Sequence, residues 1–520
     1  MKWYSKIAIG IGALLLLILI LNVGFNLWIK YQLPKIISEQ NDSPYAISYK
    51  NLEVSFWDSN IKADQIVIVP KAAVKDSVTK AGIYAKVHSL EIKDFKIWST
   101  LFSNKIKARS ITVTQPEVIL YKANEKAINH SKSIRSDVVA PFEKIIAVSD
   151  VYLQHGDLKI IYVKNNTALL NVSNINLQLD GIVINESVLA EKIPFHFKNY
   201  MLNCDSLYYR PSEFYHIRTK RISTSKNTLK IAGFEMIPEY SRREFVKKIA
   251  AEKDIYTLQS KSVAIHKMDW GFNANDFFFH ADAITLDNLA ANIYRSKMPT
   301  DDLTKKYLYN KLLRDLKLDL KVDTLKIRNS ILEYEEEKSF DKGAGKLTFS
   351  KFNLTATNIR SGFKQKKLAD LKIKIKCRFM NTSPLDVNWR FNVMDKTDGF
   401  NINGTILNFD AEKIVPFTKP YMNVATKGIL NEVHFNFTGN DVRTAGHFSV
   451  KYDDLKVTVF QKDNREKKNK VLSAIGNLLI KDDTKNRLKD ADVALERIPE
   501  KSFFNFLWRS IAEGLKKILI

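Results

Sequence analysis

Apolar and charged residues alternate with a period of two over segment after segment of this chain, and that pattern restricts it to extended strands with one dry face and one wet face. The clearest runs are Leu316, Leu318, Leu320 and Val322; Leu371, Ile373, Ile375, Cys377 and Phe379; Val387, Trp389, Phe391 and Val393; Val433, Phe435 and Phe437; and Leu455, Val457 and Val459. Between the apolar positions stand lysines, as in Leu371-Lys372-Ile373-Lys374-Ile375-Lys376. A helix would scatter such residues around its circumference, whereas a pleated strand sorts them onto opposite faces. Asn403-Gly404 and Gly439-Asn440-Asp441 supply turn residues, so neighbouring strands are expected to pair antiparallel as meanders.

A shorter unit recurs within this pattern: an alternating strand, a polar break, and a second strand ending in Tyr. It occurs at 111–121 around Gln115-Pro116, at 151–162 around His155-Gly156, and at 325–334 around Asn329-Ser330. Helical periodicity is confined to 238–254, to 300–316 with Thr300 as an N-cap, and to the C-terminal segment after Pro499. In that last segment Phe503, Phe504, Leu507, Trp508, Ile511 and Leu515, continued by Ile518 and Leu519, are expected on one face.

The N-terminus carries a different signal. No charged residue occurs from Ile7 to Ile29, and these 23 positions would span roughly 34 Å as a helix, enough for a bilayer core. Ile7, Leu14, Leu17, Leu21, Phe25 and Trp28 are the expected anchor residues. Lys2 and Lys6 precede the run as they would in a secretion signal, but it is long for one, and no small-residue cleavage site follows it. A retained transmembrane helix is therefore expected. Matching lysines on both flanks leave its orientation open.

The balance of 81 basic against 57 acidic residues gives +24, which raises the question of a nucleic-acid partner, an anionic membrane surface or simply a solvated exterior. The lysines are spread along wet strand faces instead of being gathered in one patch, so no nucleic acid is expected. Only Cys204 and Cys377 are present, enough for one disulfide at most and for no cysteine-based metal centre. Catalytic residues are not apparent. The nine histidines stand singly, without metal-ligand spacing. Gly343-Ala344-Gly345-Lys346 has Leu347 where a phosphate loop needs Ser or Thr. Glu333, Glu335, Glu336 and Glu337 read as a charged strand end entering a wet loop in preference to a divalent-cation site. Neither a metal nor another cofactor is expected, and the chain is not expected to be an enzyme.

The order of these parts resembles the AsmA-like family, including its TamB-type members. The likeness is carried by the N-terminal anchor followed by Ile47-Ser48-Tyr49-Lys50-Asn51-Leu52-Glu53-Val54-Ser55-Phe56, by 90–95 leading to Gln115-Pro116, and by a C-terminal series. That series runs through Gly428, Phe435 to Gly439, Gly446-His447-Phe448, Tyr452 to Val457, and Ile475-Gly476-Asn477-Leu478-Leu479. The resemblance implies a mainly β protein: an N-terminal transmembrane helix (1–30), then an elongated antiparallel groove-forming sheet in two halves (31–300 and 301–498), and an amphipathic helix (499–520). It implies an inner-membrane, single-pass protein of a double-membraned bacterium, with its sheet in the periplasm and membrane phospholipid on the apolar face. The lipid-facing candidates are then Leu316, Leu318, Leu320, Val322, Leu371, Ile373, Ile375, Phe379, Val387, Trp389, Phe391, Val433, Phe435 and Phe437. The chain is far shorter than TamB-type members, so a path between two membranes would need an outer-membrane or periplasmic protein partner, or self-association. A one-sided apolar sheet can also be covered by a second sheet or by helices, which leaves a structural or assembly factor with a closed core as the alternative.

Overall fold

The computed structural model describes residues 45–55, 58–71, 81–96, 106–123, 146–183, 196–461, 469, 483–484 and 487–519. The expected anchor at 1–30 and the 475–479 motif lie outside them. Among the described residues no helix is long and apolar enough to cross a membrane.

The protein is mainly β and rich in antiparallel pairing. Its first strands are β1 (Tyr45–Ser48), β2 (Asn51–Ser55), β3 (Asn60–Pro70), β4 (Gly82–Lys93), β5 (Ile106–Lys122), β6 (Ile146–Tyr162), β7 (Thr167–Asp180), β8 (Asn199–Cys204), β9 (Ser206–Ser212), β10 (Tyr215–Thr219) and β11 (Arg221–Ser225). Next come β12 (Thr228–Pro238), helix α1 (Arg242–Lys248), β13 (Asp254–His266), β14 (Asp269–Asn273), β15 (Asp276–Asp287), β16 (Ala290–Ser296), helix α2 (Tyr309–Arg314), β17 (Asp319–Glu337), β18 (Gly345–Arg360), β19 (Leu371–Phe379), β20 (Ser383–Phe391) and β21 (Phe400–Asp410). A 3-10 turn (Ala411–Ile414) leads to helix α3 (Val415–Met422), then β22 (Val424–Gly439), β23 (Arg443–Val459), β24 (Lys489–Glu496) and helix α4 (Phe503–Leu519).

The chain forms two compact units, residues 1–211 with 219–226 and residues 212–218 with 227–520. Residue 300 thus lies inside the second unit. In the first, β3, β4 and β5 pair antiparallel, β5 pairs parallel with β6, and β6, β7 and β8 return to antiparallel pairing. The second repeats that order. There β12, β13 and β15 are antiparallel, β15 and β16 pair parallel with β17, and β17 through β24 form an antiparallel meander. The parallel pairs depart from the expected all-antiparallel meander. Each is joined by a long connection, 123–145 or 297–318, and a parallel pair requires such a crossover.

The recurring unit is one long strand interrupted by a left-handed residue, with a register shift against the next strand at His155 and Asn329, where a strand, a break and a second strand are expected. β5, β6 and β17 are 17, 17 and 19 residues long, and the polar breaks are single left-handed residues within them: Gln115 (φ 47°), His155 (φ 55°) and Asn329 (φ 48°). At each break the apolar phase shifts by one, from Leu325 and Ile327 to Leu332 and Tyr334 in β17. The extra residue resets the pleat, so Ile327 and Leu332 pack in the same cluster. A fourth copy spans β15 and β16, from Ile284-Thr285-Leu286 through Asn288 (φ 52°) to Ala291, Ile293 and Tyr294. The four copies lie side by side as two parallel pairs, one in each unit.

The internal helices are shorter than periodicity predicts. Of 238–254 only α1 is helical, because β12 runs through Pro238 and β13 begins at Asp254. α1 starts in a capping box, Ser241 with Glu244. Of 300–316 only α2 is helical, and its N-cap position is Leu308, not Thr300.

Candidate functional site

Direct cross-strand partners place their side chains on the same face of a sheet, so a face can be followed strand by strand. In the second unit one row runs Leu229, Ile265, Ile284, Leu325, Ala356, Ile373, Trp389, Ile402, Phe437, Gly446 and Val493. Beside it runs a second: Ile231, Val263, Leu286, Ile327, Leu354, Ile375, Val387, Gly404, Phe435, Phe448 and Ala491. Neither contains a charged residue. The row between them on the opposite face is Lys230, Ala264, Thr285, Lys326, Thr355, Lys374, Asn388, Asn403, Asn436, His447 and Asp492. Eleven strands at about 4.8 Å give this apolar stripe a length of roughly 50 Å. Gly404 and Gly446 stand where a side chain would strike Phe435 or the β22 backbone.

The first unit carries a counterpart. Leu52, Ala63, Leu90, Val113, Leu153, Leu177 and Leu202 form one apolar row from β2 to β8. Ile47, Ile68, Ala85, Val118, Leu158, Val172 and Leu207 form another.

The stripe of the second unit changes character along its length. Over β21 to β24 it is sealed: Ile402, Phe435, Phe437, Phe448 and Val493 are buried in one cluster with Phe503 and Phe506 of α4. Ser502 caps that helix, accepting from the Asn505 backbone N–H at 3.3 Å. Phe503 stacks on Trp389 at 4.5 Å and meets Phe400 edge-on at 5.1 Å. Gly514 lies so close to the Phe448 ring that a Cβ there would overlap it. Over β12 to β19, Ile265 and Ala356 are buried, while Leu229, Ile231, Val263, Ile284, Leu286, Leu325, Ile327, Leu354, Ile373 and Ile375 are half-buried.

Of the residues expected on the apolar face, Ile373, Ile375, Val387, Trp389, Phe435 and Phe437 lie in the two rows. Leu371 with Phe391, and Val433 with Val450, occupy flanking pairs. Phe379 pairs with Phe349 beyond the bulge. Leu316 and Leu318 precede β17, which begins at Asp319, while Leu320 and Val322 lie before a further break opposite Asn358 (φ 61°) and pair with Phe279 and with Ala281 and Ile359, which pack in the same clusters as the stripe. The β12, β13 and β15 members were missed, although the fragments Leu229-Lys230-Ile231 and Ile284-Thr285-Leu286 alternate as clearly as the others.

The contact face of α4 also differs from expectation. Phe503, Leu507, Ile511 and Leu515 do pack on the sheet, but Phe504 is 59% exposed and Trp508 38% exposed. Phe506, Ser510 and Gly514 are buried in their place. Small residues permit the closest approach of helix to sheet, and they set the contact arc.

The acidic strand end is enclosed, not wet. Arg242 donates to both Glu335 carboxylate oxygens at 2.8 Å, Lys297 lies 2.9 Å from Glu252 and 3.2 Å from Glu336, and the buried Tyr294 hydroxyl donates to Glu337 at 2.5 Å. Burial alone would raise the Glu335 pKa, but hydrogen bonds from Arg242 and Asn292 outweigh it and hold the group below its ordinary range. Burial, with Glu336 beside it, pushes the Tyr421 hydroxyl up to about 12. These contacts pin α1 and α3 to the ends of β16 and β17. Among the described residues no group of three or more His, Cys, Asp or Glu is placed to hold a metal ion. Cys204 and Cys377 are free and buried, and burial pushes the Cys377 thiol up to about 12, which suppresses its thiolate.

No protein-family model matches the chain, and no curated protein matches it.

Proposed function

We propose that this is a non-enzymatic envelope protein that shelters phospholipid acyl chains along the apolar face of its sheet, in the manner of the AsmA-like proteins it resembles. The observation that carries the reading is the uncharged stripe across eleven strands, sealed by α4 at one end and half-buried over β12 to β19. Apolar surface left against water costs about 25 cal/mol per Å², so a face of this kind favours an apolar occupant. In this reading residues 1–30 anchor the chain in the inner membrane, the sheet is periplasmic, and a protein partner or self-association completes the route to the outer membrane.

A photocrosslinker placed at Leu286 or Ile327 in cells should capture phospholipid, while the same group at Lys326 or Lys374 on the exposed opposite face should not. Equal labelling on both faces would refute the reading. The sealed core over β21 to β24 favours a second reading, a structural or assembly factor without a lipid path. Absence of phospholipid from the gently extracted protein would support it.

A further inference from the structure

Exposed apolar side chains in the second unit gather where residues 303–312 meet the start of α4. Leu303 (77% exposed), Tyr307, Tyr309, Leu312, Phe504 and Trp508 all lie in these two segments. Lys306 donates its backbone N–H to the Pro499 carbonyl at 2.8 Å, Lys501 pairs with Asp301 at 3.3 Å, and the Tyr309 ring is 6.5 Å from Phe504. Trp508 follows Phe504 by one helical turn, and Leu312 follows Tyr309 by one.

This patch joins the stripe through aromatic rings, with Leu308 buried in the cluster beneath it. Tyr309 lies edge-on to Trp389 at 5.3 Å, and Phe503, stacked on Trp389, meets Phe504 at 5.7 Å. Its cations are matched: Lys311 pairs with Asp315, Lys305 with Asp441, and both ammonium groups also lie over the Tyr307 ring. A patch of Tyr, Trp, Phe and Leu with locally neutralised charge suits insertion at the boundary of headgroups and acyl chains, where such rings partition without needing an anionic surface.

We propose that this patch docks on a lipid bilayer, and that Tyr309 and Phe504, at the edge of the sealed cluster that holds Phe503, mark where acyl chains pass between the bilayer and the half-buried part of the stripe beyond Trp389. Docking stands independently of the acyl-chain reading, whereas the transfer route rests on it.

The test uses the full chain held in phosphatidylcholine nanodiscs, with capture of separate vesicles as readout. Because the chain carries +24, neutral phosphatidylcholine vesicles at moderate salt are the decisive probe, with vesicles containing phosphatidylglycerol beside them. The Phe504→Ser/Trp508→Ser variant should lose about tenfold or more in capture of neutral vesicles, since two aromatic insertions are removed. Met201→Ser, at an exposed site on β8 of the first unit, should lose nothing. An environment-sensitive fluorophore on Phe504→Cys should report an apolar setting when vesicles are added; Cys204 and Cys377 are buried and should not take the label. Unchanged capture by the double variant, or a silent fluorophore with both vesicle types, would overturn the proposal and mark the patch as a protein-docking face. Capture that depends on Phe504 and Trp508, with no lipid labelled at Ile327, would keep the docking face and remove the transfer route.

Discussion

Ile327 and Phe448 stand in the same cross-strand row of the second unit and differ in what lies above them. Phe448 is fully buried beneath Gly514 of α4, whereas Ile327 is half-buried on β17. The strands at the two ends of the row are built alike, from alternating apolar and polar residues paired in register. A strand pattern therefore fixes which face is dry, and the neighbouring elements decide whether that face becomes a core or a surface that can receive something else.

The largest expected difference is in stability. Phe448→Ala removes a ring from a sealed cluster and should destabilise the protein by about 3–5 kcal/mol, while Ile327→Ala should cost about 1–2 kcal/mol. Denaturant unfolding of the two variants measures both, and equal costs would erase the distinction between the sectors. Ile327→Asp sharpens the comparison. A carboxylate on an apolar surface carries a penalty that grows with burial, so this variant should stay folded by circular dichroism yet lose lipid labelling at Leu286, whereas Phe435→Asp should fail to fold.

Gly514 tests how tightly the cover is seated. Alanine is the better helix former by about 1 kcal/mol, but its Cβ meets the Phe448 ring, so Gly514→Ala should lower stability by about 1–3 kcal/mol in thermal unfolding. A rise in Tm would mean that α4 sits loosely.

At the half-buried end the contact between Arg242 and Glu335 holds α1, and Arg242→Gln should cost about 1 kcal/mol at neutral pH, since Arg242 is partly exposed. The folded Glu335 pKa is depressed. Its contribution is therefore complete above the unfolded value of about 4.3 and is lost as pH falls through the lower folded value. The stability curves of wild type and variant should converge in acid; a gap that persists there would assign the loss to packing of the guanidinium over Tyr294 instead. The smallest effect is expected for Lys516→Glu/Lys517→Glu on the exposed side of α4. Lys517 gives one hydrogen bond to the Asp492 carbonyl, and the stability change should stay within about 0.5 kcal/mol.

Much of this architecture is legible in the residues alone. Alternation in 371–379, 387–393 and 433–437 identifies β19, β20 and β22 and assigns their dry faces, because the period of a pleated strand is a local property of the backbone. The polar breaks at Gln115, His155 and Asn329 are visible too. A left-handed residue inside a strand and a turn between two strands share the same residue preferences, however, so only the pairing partners decide that each break lies within one long strand. The parallel pairing of β5 with β6, and of β15 and β16 with β17, depends on where long connections lead, which no local pattern encodes.

The same limit applies to the candidate site. Sequence picks out Phe435, Phe437 and Trp389 as apolar-face residues, and the register places them there. It cannot say that Phe435 and Phe437 lie beneath α4 while Ile373 and Ile375 remain half-buried, because cover is supplied from residues far along the chain. Nor can the amphipathic pattern of α4 fix its contact arc: large residues mark the apolar side, but the small Ser510 and Gly514 set the closest approach and turn Phe504 and Trp508 outward. The enclosure of Glu336 and Glu337 follows from the same cause. Their cation and phenol partners, Lys297, Tyr294 and Tyr421, come from other strands and from α3, and reach them only through tertiary packing. Strand periodicity is written in neighbouring residues; burial is a property of distant ones brought together.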